Sequence, residues 1–214
     1  MQEMSRQNEE RKKKKITCVT SWDDGGILDL RLAVLLKKYN LQATFFIPSN
    51  CELSERQIKE LGKDFEIGGH TISHPMDLKQ LSDYDLYDEI SGNKRWLEYL
   101  LDREIDYFCY PRGRYNERVI RELKKVGFKK ARTTIVGDIS EPDEVDLFRI
   151  NTTIHVHPER VEYHGRNWVE VANEFWEKAL NTENSQFHIW GHSWELTKFD
   201  LWDDLEQLFK NITK

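Results

Sequence analysis

The sequence predicts a single α/β domain with a parallel sheet, and three observations lead to this prediction. Short apolar, β-prone runs alternate along the chain with segments whose apolar residues recur at helical spacing. No repeat, linker or low-complexity stretch interrupts this alternation after residue 15. The length of 214 residues also suits one domain of the α/β barrel type. Strands and helices that alternate in this way pack as βα units around one sheet.

The predicted elements follow one another in nearly strict alternation. The strands are predicted at residues 16–20, 43–47, 65–69, 105–110, 128–133, 147–154 and 186–190. The helices are predicted at residues 27–39, 53–61, 81–101, 116–126, 168–180 and 201–209. Pro48 and Pro111 stop the second and fourth strands, Gly127 stops the fourth helix, and Ser54 is placed to cap the second helix. We therefore expect one domain over residues 16–214.

Composition and charge exclude several classes of protein. The formal net charge is −6, so nucleic acid is not an expected partner, because duplex binders need a net basic face. No stretch approaches the ~20 apolar residues that a membrane span needs. The N-terminus has no apolar signal segment, so we expect a cytoplasmic protein, and the sequence leaves its oligomeric state open. Residues 1–15 are expected to form a disordered basic tail, the alternative being a contact with an anionic surface.

Four polar clusters follow four of the predicted strands directly. The carboxyl ends of the strands in a parallel barrel share one face, and that face builds the active site. We therefore expect the clusters to meet in space although they are far apart in sequence. The clusters are Asp23 with Asp24, His70 with His74, the tripeptide Pro111-Arg112-Gly113, and His192.

The two histidines after the third strand have the spacing of metal ligands. His70 and His74 can reach one metal ion from a tight loop, and Pro75 disfavours a continuing helix there. With Asp24 they form a set of two imidazoles and one carboxylate, which leaves metal positions open for water and substrate. Asp23 points away from Asp24 on an extended chain, so the two carboxylates can do different work. Taken alone, the Asp pair would be better explained as a turn and helix cap.

His192 is a candidate general acid. It follows the last predicted strand, and an imidazole with a pKa near ~6.5 transfers protons well around neutral pH. His188 alternates into the body of the same strand and is interpreted as a packed residue. His155 and His157 are also interpreted as packed residues, and they are the next candidates for the acid if His192 is not it.

These clusters, in this order, resemble the polysaccharide deacetylases of carbohydrate esterase family four, also called the NodB-homology domain. Residues 20–25 (TSWDDG) resemble the first family motif, T-F-D-D-G, and residues 70–74 (HTISH) match the second, H-[ST]-x-x-H. Residues 43–46 (ATFF) resemble the second strand of the family. The resemblance runs over about residues 16–194.

The resemblance implies a distorted (β/α)7 barrel and a role for each cluster. It implies that Asp23 is the catalytic base, that Asp24, His70 and His74 are the metal ligands, and that His192 is the histidine of the last motif. The implied cofactor is a divalent metal ion, and we expect Zn²⁺. The domain of residues 16–214 is then the catalytic domain.

Two family motifs are altered in this chain. The third, R-x-P-[YF]-G, corresponds to residues 109–113, where Cys109 stands at the position of the arginine that orients the base. Arg112 and Arg132 are both candidates to replace that arginine. The fourth motif, an Asp-rich stretch ending in Trp, is not recognisable. These departures leave the substrate within the family open.

The sequence therefore predicts a metal-dependent hydrolase that removes an N-acetyl or other acyl group from an amino sugar or glycan, with metal-bound water as the nucleophile. Arg112, Tyr110, Trp22 and Trp190 are expected to contact the substrate or the oxyanion, the alternative for each aromatic residue being a place in the core. One alternative is a related amidohydrolase acting on a small cyclic amide or ureide. Another is a carbohydrate-binding relative without catalysis. A non-haem iron oxygenase would share the ligand set, but such sites usually lie on jelly-roll sheets rather than βα units.

Overall fold

A computed structural model describes residues 16–141 and 146–214, and the tail predicted for residues 1–15 lies outside them. The strands are β1 (Ile16–Asp23), β2 (Gln42–Ile47), β3 (Glu66–Gly69), β4 (Tyr107–Cys109), β5 (Lys130–Arg132), β6 (Ile154–His155) and β7 (Ser185–Gly191). They form one sheet in the order β5-β4-β3-β2-β1-β7-β6, and the pairs between them are parallel. The predicted α/β class is therefore confirmed.

Helices connect the strands and cover the outside of the sheet. They are α1 (Asp29–Lys38), α2 (Glu55–Asp64), α3 (Asp83–Leu101), α4 (Glu117–Val126), α5 (Trp168–Leu180), α6 (Ser193–Lys198) and α7 (Trp202–Ile212). Ser54 caps α2 as predicted, in a reciprocal capping box with Gln57. Gly127 ends α4 with a φ of 100°, a left-handed conformation that glycine adopts without strain.

Residues 147–156 complete the barrel by joining β5 to β7. The N–H of Ile150 donates to the carbonyl of Ala131, next to Arg132 in β5, at 3.0 Å. Farther along the same segment, the N–H of Val156 donates to the carbonyl of Trp190 in β7 at 2.8 Å. Only two residues of this segment, β6, pair regularly with β7, so the barrel is distorted here. The sixth strand prediction, residues 147–154, falls on this segment.

Alternation along the strands decides which residues line the inside of the barrel. Ser21, Asp23 and Arg132 face the interior, where Oγ of Ser21 lies 2.8 Å from Nε2 of His188. Trp22, between Ser21 and Asp23, packs into the main apolar core with no exposed surface. The polar side chains of the interior and the apolar side chains of the core therefore lie on opposite faces of the strands.

The strand and helix predictions are largely confirmed, and the main addition is α6. This helix has only six residues, Ser193–Lys198, which is too short for a clear apolar period in the sequence. It begins directly after His192 and therefore shapes the last part of the site. None of the helices in the described residues is long and apolar enough to cross a membrane.

Candidate active site

Asp24, His70 and His74 meet at the carboxyl ends of β1 and β3. Oδ1 of Asp24 lies 3.6 Å from Nε2 of His70 and 3.6 Å from Nε2 of His74. One ligand atom from each residue lies within 4.8 Å of the other two. One carboxylate oxygen and two imidazole nitrogens at this spacing suit a divalent ion such as Zn²⁺ with open positions for water and substrate. The residues therefore fit the predicted metal.

The ring of His70 is oriented by an outer partner. Its Nδ1 lies 2.8 Å from the carbonyl oxygen of Cys109, and its backbone N–H donates to Oδ1 of Asn93 at 2.9 Å. A carbonyl can only accept a hydrogen bond, so Nδ1 carries a hydrogen, and Nε2, which faces Asp24, is the nitrogen left for a metal ion. A second hydrogen bond of this kind commonly fixes the tautomer of a metal-binding histidine.

Three residues of this ligand region have left-handed backbone conformations. The φ angles are 81° at Asp24, 71° at Thr71 and 53° at His74, and residues with a Cβ rarely adopt such values. The loop of residues 70–74 keeps Thr71 and His74 in this conformation because Glu89 in α3 accepts two of its backbone N–H groups at 2.9 Å each. The hydroxyl of Thr71 also accepts the N–H of His74 at 3.1 Å. Backbone strain that is retained in this way is typical of functional sites.

Asp23 lies inside the barrel beside a buried arginine. Nη2 of Arg132 donates to both carboxylate oxygens of Asp23, and it also lies 2.8 Å from Sγ of Cys109. Asp23 and Arg132 are 3% and 0% exposed, so the pair has almost no contact with solvent. Between the two candidates, it is Arg132 that contacts Asp23, whereas Arg112 lines the cleft.

The arginine keeps Asp23 ionised. Burial alone would raise the pKa of Asp23, but the charge and hydrogen bonds of Arg132, together with the charges of His70 and His192, outweigh burial and lower that pKa. Burial raises the pKa of the neighbouring Cys109 thiol well above its ordinary value, so the thiol is neutral. Asp23 and Arg132 therefore form a buried pair of a carboxylate anion and a guanidinium cation.

His192 lies near Oδ2 of Asp24, whereas His70 and His74 lie near Oδ1. Its Nε2 is 3.7 Å from Oδ2 of Asp24, and its Nδ1 is 2.8 Å from Oε2 of Glu195, one turn into α6. Burial alone would lower the pKa of His192, but the hydrogen bond and charge of Glu195, with the charges of Asp23 and Asp24, raise it to about 9. The same contact contributes to lowering the pKa of Glu195 to about 2 against the effect of its own burial. The ring is thus a protonated imidazole with Nε2 toward Asp24.

These residues line one cleft of about 200 Å³. Its wall consists of Asp23, Asp24, His70, His74, Arg112, Thr134, Trp190, His192 and Trp194. Trp194, 41% exposed, stands at the rim. A larger cavity of about 520 Å³ lies at the opposite, amino-terminal end of the strands, where Gln42, Glu66 and Lys130 line it. The cleft, and not the larger cavity, brings the predicted chemistry together.

Two of the expected substrate contacts are wrong. Trp22 and Tyr110 are both 0% exposed and absent from the cleft wall. The indole N–H of Trp22 donates to Oγ1 of Thr20 at 3.0 Å, and the hydroxyl of Tyr110 donates to the carbonyl of Phe148 at 2.9 Å. Side chains with no exposed surface cannot stack on a sugar ring, so both belong to the core. Arg112 and Trp190 do line the cleft.

Sequence reasoning missed the role of Glu195 and left that of Arg132 open. A signal was available for each. Glu195 follows His192 by three residues, a spacing that puts two side chains on one face of a helical turn. Arg132 pairs directly with Cys109 across β4 and β5, so the missing arginine is replaced by its neighbour in the sheet.

The sequence of this chain matches known proteins over much of its length. A family model described as polysaccharide deacetylase matches residues 10–131. YxkH of Bacillus subtilis (strain 168), whose name places it among the polysaccharide deacetylases, is 31% identical over 137 residues. These residues are 60% of this chain and 49% of YxkH, so the match covers about half the length of that relative.

Solved structures are similar as well. The Streptococcus pyogenes deacetylase PplD in complex with acetate is 27% identical, with 71% of this chain and 70% of that chain covered and a TM-score of 0.59. A family 4 carbohydrate esterase from Streptomyces lividans, also in complex with acetate, is 16% identical, with 92% and 89% covered and a TM-score of 0.63. At this identity the second likeness shows the fold alone. The shared fold is the NodB-type barrel that the sequence predicts.

The family match divides the candidate site into two parts. Residues 10–131 include Asp23, Asp24, His70 and His74, and they end one residue before Arg132. His192 also lies beyond the matched stretch. Arg132, which contacts Asp23, and His192 therefore come from the part of the chain outside that match.

Proposed function

This chain belongs to the polysaccharide deacetylase family, and we propose that it hydrolyses an N-acetyl (or other acyl) group on an amino sugar or glycan. One observation carries the proposal: a candidate base and a candidate acid line the same cleft as a fitting set of metal ligands. The base is Asp23 beside Arg132, and the acid is His192 beside Glu195. A site that only bound sugar would need neither group.

A metal ion bound by Asp24, His70 and His74 would act as a Lewis acid toward the acyl oxygen and would make water more acidic. Asp23 is the general base in this proposal. Its carboxylate is ionised because Arg132 lowers its pKa, so it can accept a proton from the attacking water. Arg132 also fixes the direction of the carboxylate through hydrogen bonds to both oxygens.

His192 is the general acid. Its Nε2 faces Asp24 at 3.7 Å, while Nδ1 is held by Glu195. The leaving nitrogen of an amide must be protonated before it departs as an amine. An imidazole whose pKa is raised to about 9 holds that proton at neutral pH and can deliver it from Nε2.

The cleft supports a small acyl group as the reacting part of the substrate. A volume of about 200 Å³ accommodates an acetyl group and part of one ring, so the rest of a glycan would lie outside. Trp194 at the rim, 41% exposed, offers an aromatic face of the kind that packs on sugar rings. Its indole N–H lies 3.4 Å from Oδ2 of Asp24, which places that face beside the reacting group.

The proposal is tested by metal analysis followed by acetate release. The purified protein, loaded with Zn²⁺, is incubated with a panel of N-acetylated sugars and oligosaccharides and, separately, with small cyclic amides and ureides. We expect acetate from at least one N-acetylated sugar, and release slower by about 10²-fold or more from an Asp23→Asn control prepared in parallel. Turnover of a cyclic amide alone would support the amidohydrolase alternative. Sugar binding without hydrolysis would support the non-catalytic one.

A further inference from the structure

Glu195 holds two imidazole rings, not one. Its Oε2 lies 2.8 Å from Nδ1 of His192 and 3.0 Å from Nε2 of His155. Glu195 is 4% exposed and His155 is 5% exposed, so solvent does not compete for either contact. One carboxylate oxygen thus accepts from the acid of the cleft and from a second histidine behind it.

Contacts with Tyr163 and Trp190 fix His155 in addition to the short strand β6. The hydroxyl of Tyr163 accepts the N–H of His155 at 2.8 Å and donates to its carbonyl at 2.6 Å. The ring of His155 stacks on Trp190, with centroids 3.8 Å apart and planes 10° from parallel. Backbone and ring are therefore both held before any contact with Glu195 is considered.

The direction of the hydrogen bond follows from the groups involved. Burial lowers the pKa of His155 to about 4 although Glu195 favours the charged form, so the ring is neutral near pH 7. A carboxylate can only accept, so the neutral ring carries its hydrogen on Nε2 and donates to Glu195. His155 supplies a hydrogen bond but no charge, and Glu195 keeps its negative charge for His192.

We propose that His155 is a positioning residue for the acid: through its hydrogen bond to Glu195 it holds the ring of His192 with Nε2 toward the cleft. This inference rests on the proposed function for the role of His192 as acid. A carboxylate with a single donor can rotate about its last bond. A second donor on the same oxygen, anchored by Tyr163 and Trp190, removes that freedom.

The neighbouring His157 provides a matched control. Its Nε2 is 3.7 Å from Oε1 of Glu195, which is beyond hydrogen-bond distance, and its ring packs edge-on against Phe199. His155→Phe removes the donor and keeps an aromatic ring on Trp190, whereas His155→Gln keeps an N–H donor. His157→Phe makes the same change of residue type without removing a hydrogen bond to Glu195.

The kinetic test compares two substrates that differ in the leaving group. Zn²⁺-loaded wild type and variants hydrolyse an N-acetylated sugar, whose amine must be protonated, and an activated aryl acetate, whose phenolate leaves unaided. We expect His155→Phe to lower kcat/KM for the amide roughly 10-fold or more and to leave the aryl acetate nearly unchanged. His155→Gln should recover part of the loss, and His157→Phe should behave as wild type. Equal losses on both substrates, or none, would overturn the proposal.

A second measurement does not depend on turnover. Both ring nitrogens of His192 carry hydrogen near pH 7, and their nitrogen-15 chemical shifts report the environment of each nitrogen and whether the ring keeps one orientation. We expect a single orientation in wild type and in His157→Phe, and an averaged signal in His155→Phe. If wild type released acetate from no N-acetylated sugar, the proposed function would fail, and these spectra alone would decide the positioning role. An unchanged His192 signal in His155→Phe would refute it.

Discussion

Cys109 and Arg132 are paired neighbours in β4 and β5, and the guanidinium of Arg132 lies between the thiol and the carboxylate of Asp23. In the motif that this segment resembles, an arginine stands at the position of Cys109. In this chain the guanidinium therefore comes from β5 instead of β4, while the carboxylate that it contacts is on β1. Because the two positions are in register, this difference requires no change in the backbone.

Because residues 109 and 132 are in register, we expect that an arginine at position 109 can partly replace Arg132. Arg132→Ser should lower kcat at least roughly 10-fold, because Asp23 loses the partner that orients it and keeps it ionised. Adding Cys109→Arg to that variant should restore part of the loss, since Sγ of Cys109 is 3.5 Å from Oδ2 of Asp23. Arg132→Lys, which keeps the charge, serves as a control for folding. A double variant no better than Arg132→Ser would contradict the idea.

Asp23→Asn is expected to remove the base without removing the metal. The amide keeps the shape of the side chain but cannot accept a proton, so kcat should fall on the order of 10²-fold or more. Metal content, measured by atomic emission, should be unchanged. If Asp23→Asn instead lost its metal while Asp24→Asn retained it, the roles of the two carboxylates would be reversed.

The metal is expected to be needed for activity but not for the fold. Chelation should abolish acetate release and leave the far-ultraviolet circular dichroism unchanged, because the apolar core lies on the other side of the strands. His70→Ala and His74→Ala should each lose bound Zn²⁺, whereas the exposed His164→Ala should keep it. Retention of full metal content by both His70→Ala and His74→Ala would rule out this ligand set.

His192→Ala should distinguish amides from activated esters. Loss of the acid should cripple hydrolysis of an N-acetylated sugar and largely spare an aryl acetate, with metal retained in both experiments. Parallel kinetics on the two substrates measure this directly. Equal damage to both would mean that His192 orients the site or stabilises the oxyanion. No damage to either would make it a packing residue.

Asp29 predicts a stability difference that depends on pH. It is 0% exposed, and burial raises its pKa from 3.8 to about 8 although Ser193 favours the ionised form. The folded protein therefore keeps a proton that the unfolded chain releases above pH 4, and its stability falls as pH rises toward 8. Asp29→Asn removes this cost, which near pH 8 is on the order of a few kcal/mol.

The measurement is urea unfolding of wild type and Asp29→Asn at pH 4 and pH 8. We expect similar midpoints at pH 4 and a higher midpoint for the variant at pH 8. The same change at Asp203, an exposed residue of α7, should have little effect at either pH. A constant difference between Asp29→Asn and wild type across the range would show that Asp29 is not protonated in the fold.

The position of the site could be predicted from the sequence because the carboxyl ends of the strands can be recognised in it. Apolar runs that stop at polar residues identify the carboxyl ends of strands, and these ends must converge in a parallel sheet. Asp24 and the two histidines after β3 were therefore expected to meet, and they lie within 4.8 Å of one another. This part of the prediction needed only the order and direction of the strands.

Contacts between side chains of different strands could not be read in the same way. Whether Arg112 or Arg132 reaches Asp23 depends on the register of β4 against β5, which short strands with weak alternation do not reveal. The core position of Trp22, in contrast, follows from the sequence. Neighbours on a strand point to opposite faces, so a catalytic Asp23 inside the barrel requires Trp22 to face the helices. Proximity in sequence to a motif was a poor guide to contact with substrate.

The position of β1 between β2 and β7 has a consequence for folding during synthesis. Of the described strands, β7 is synthesised last, and until it emerges one edge of β1 has no partner. A growing chain can thus assemble the ligand residues early while it still lacks His192 and exposes an open strand edge. Such edges invite pairing with other chains. During synthesis on the ribosome, this interval is when we expect the protein to be most in need of a chaperone.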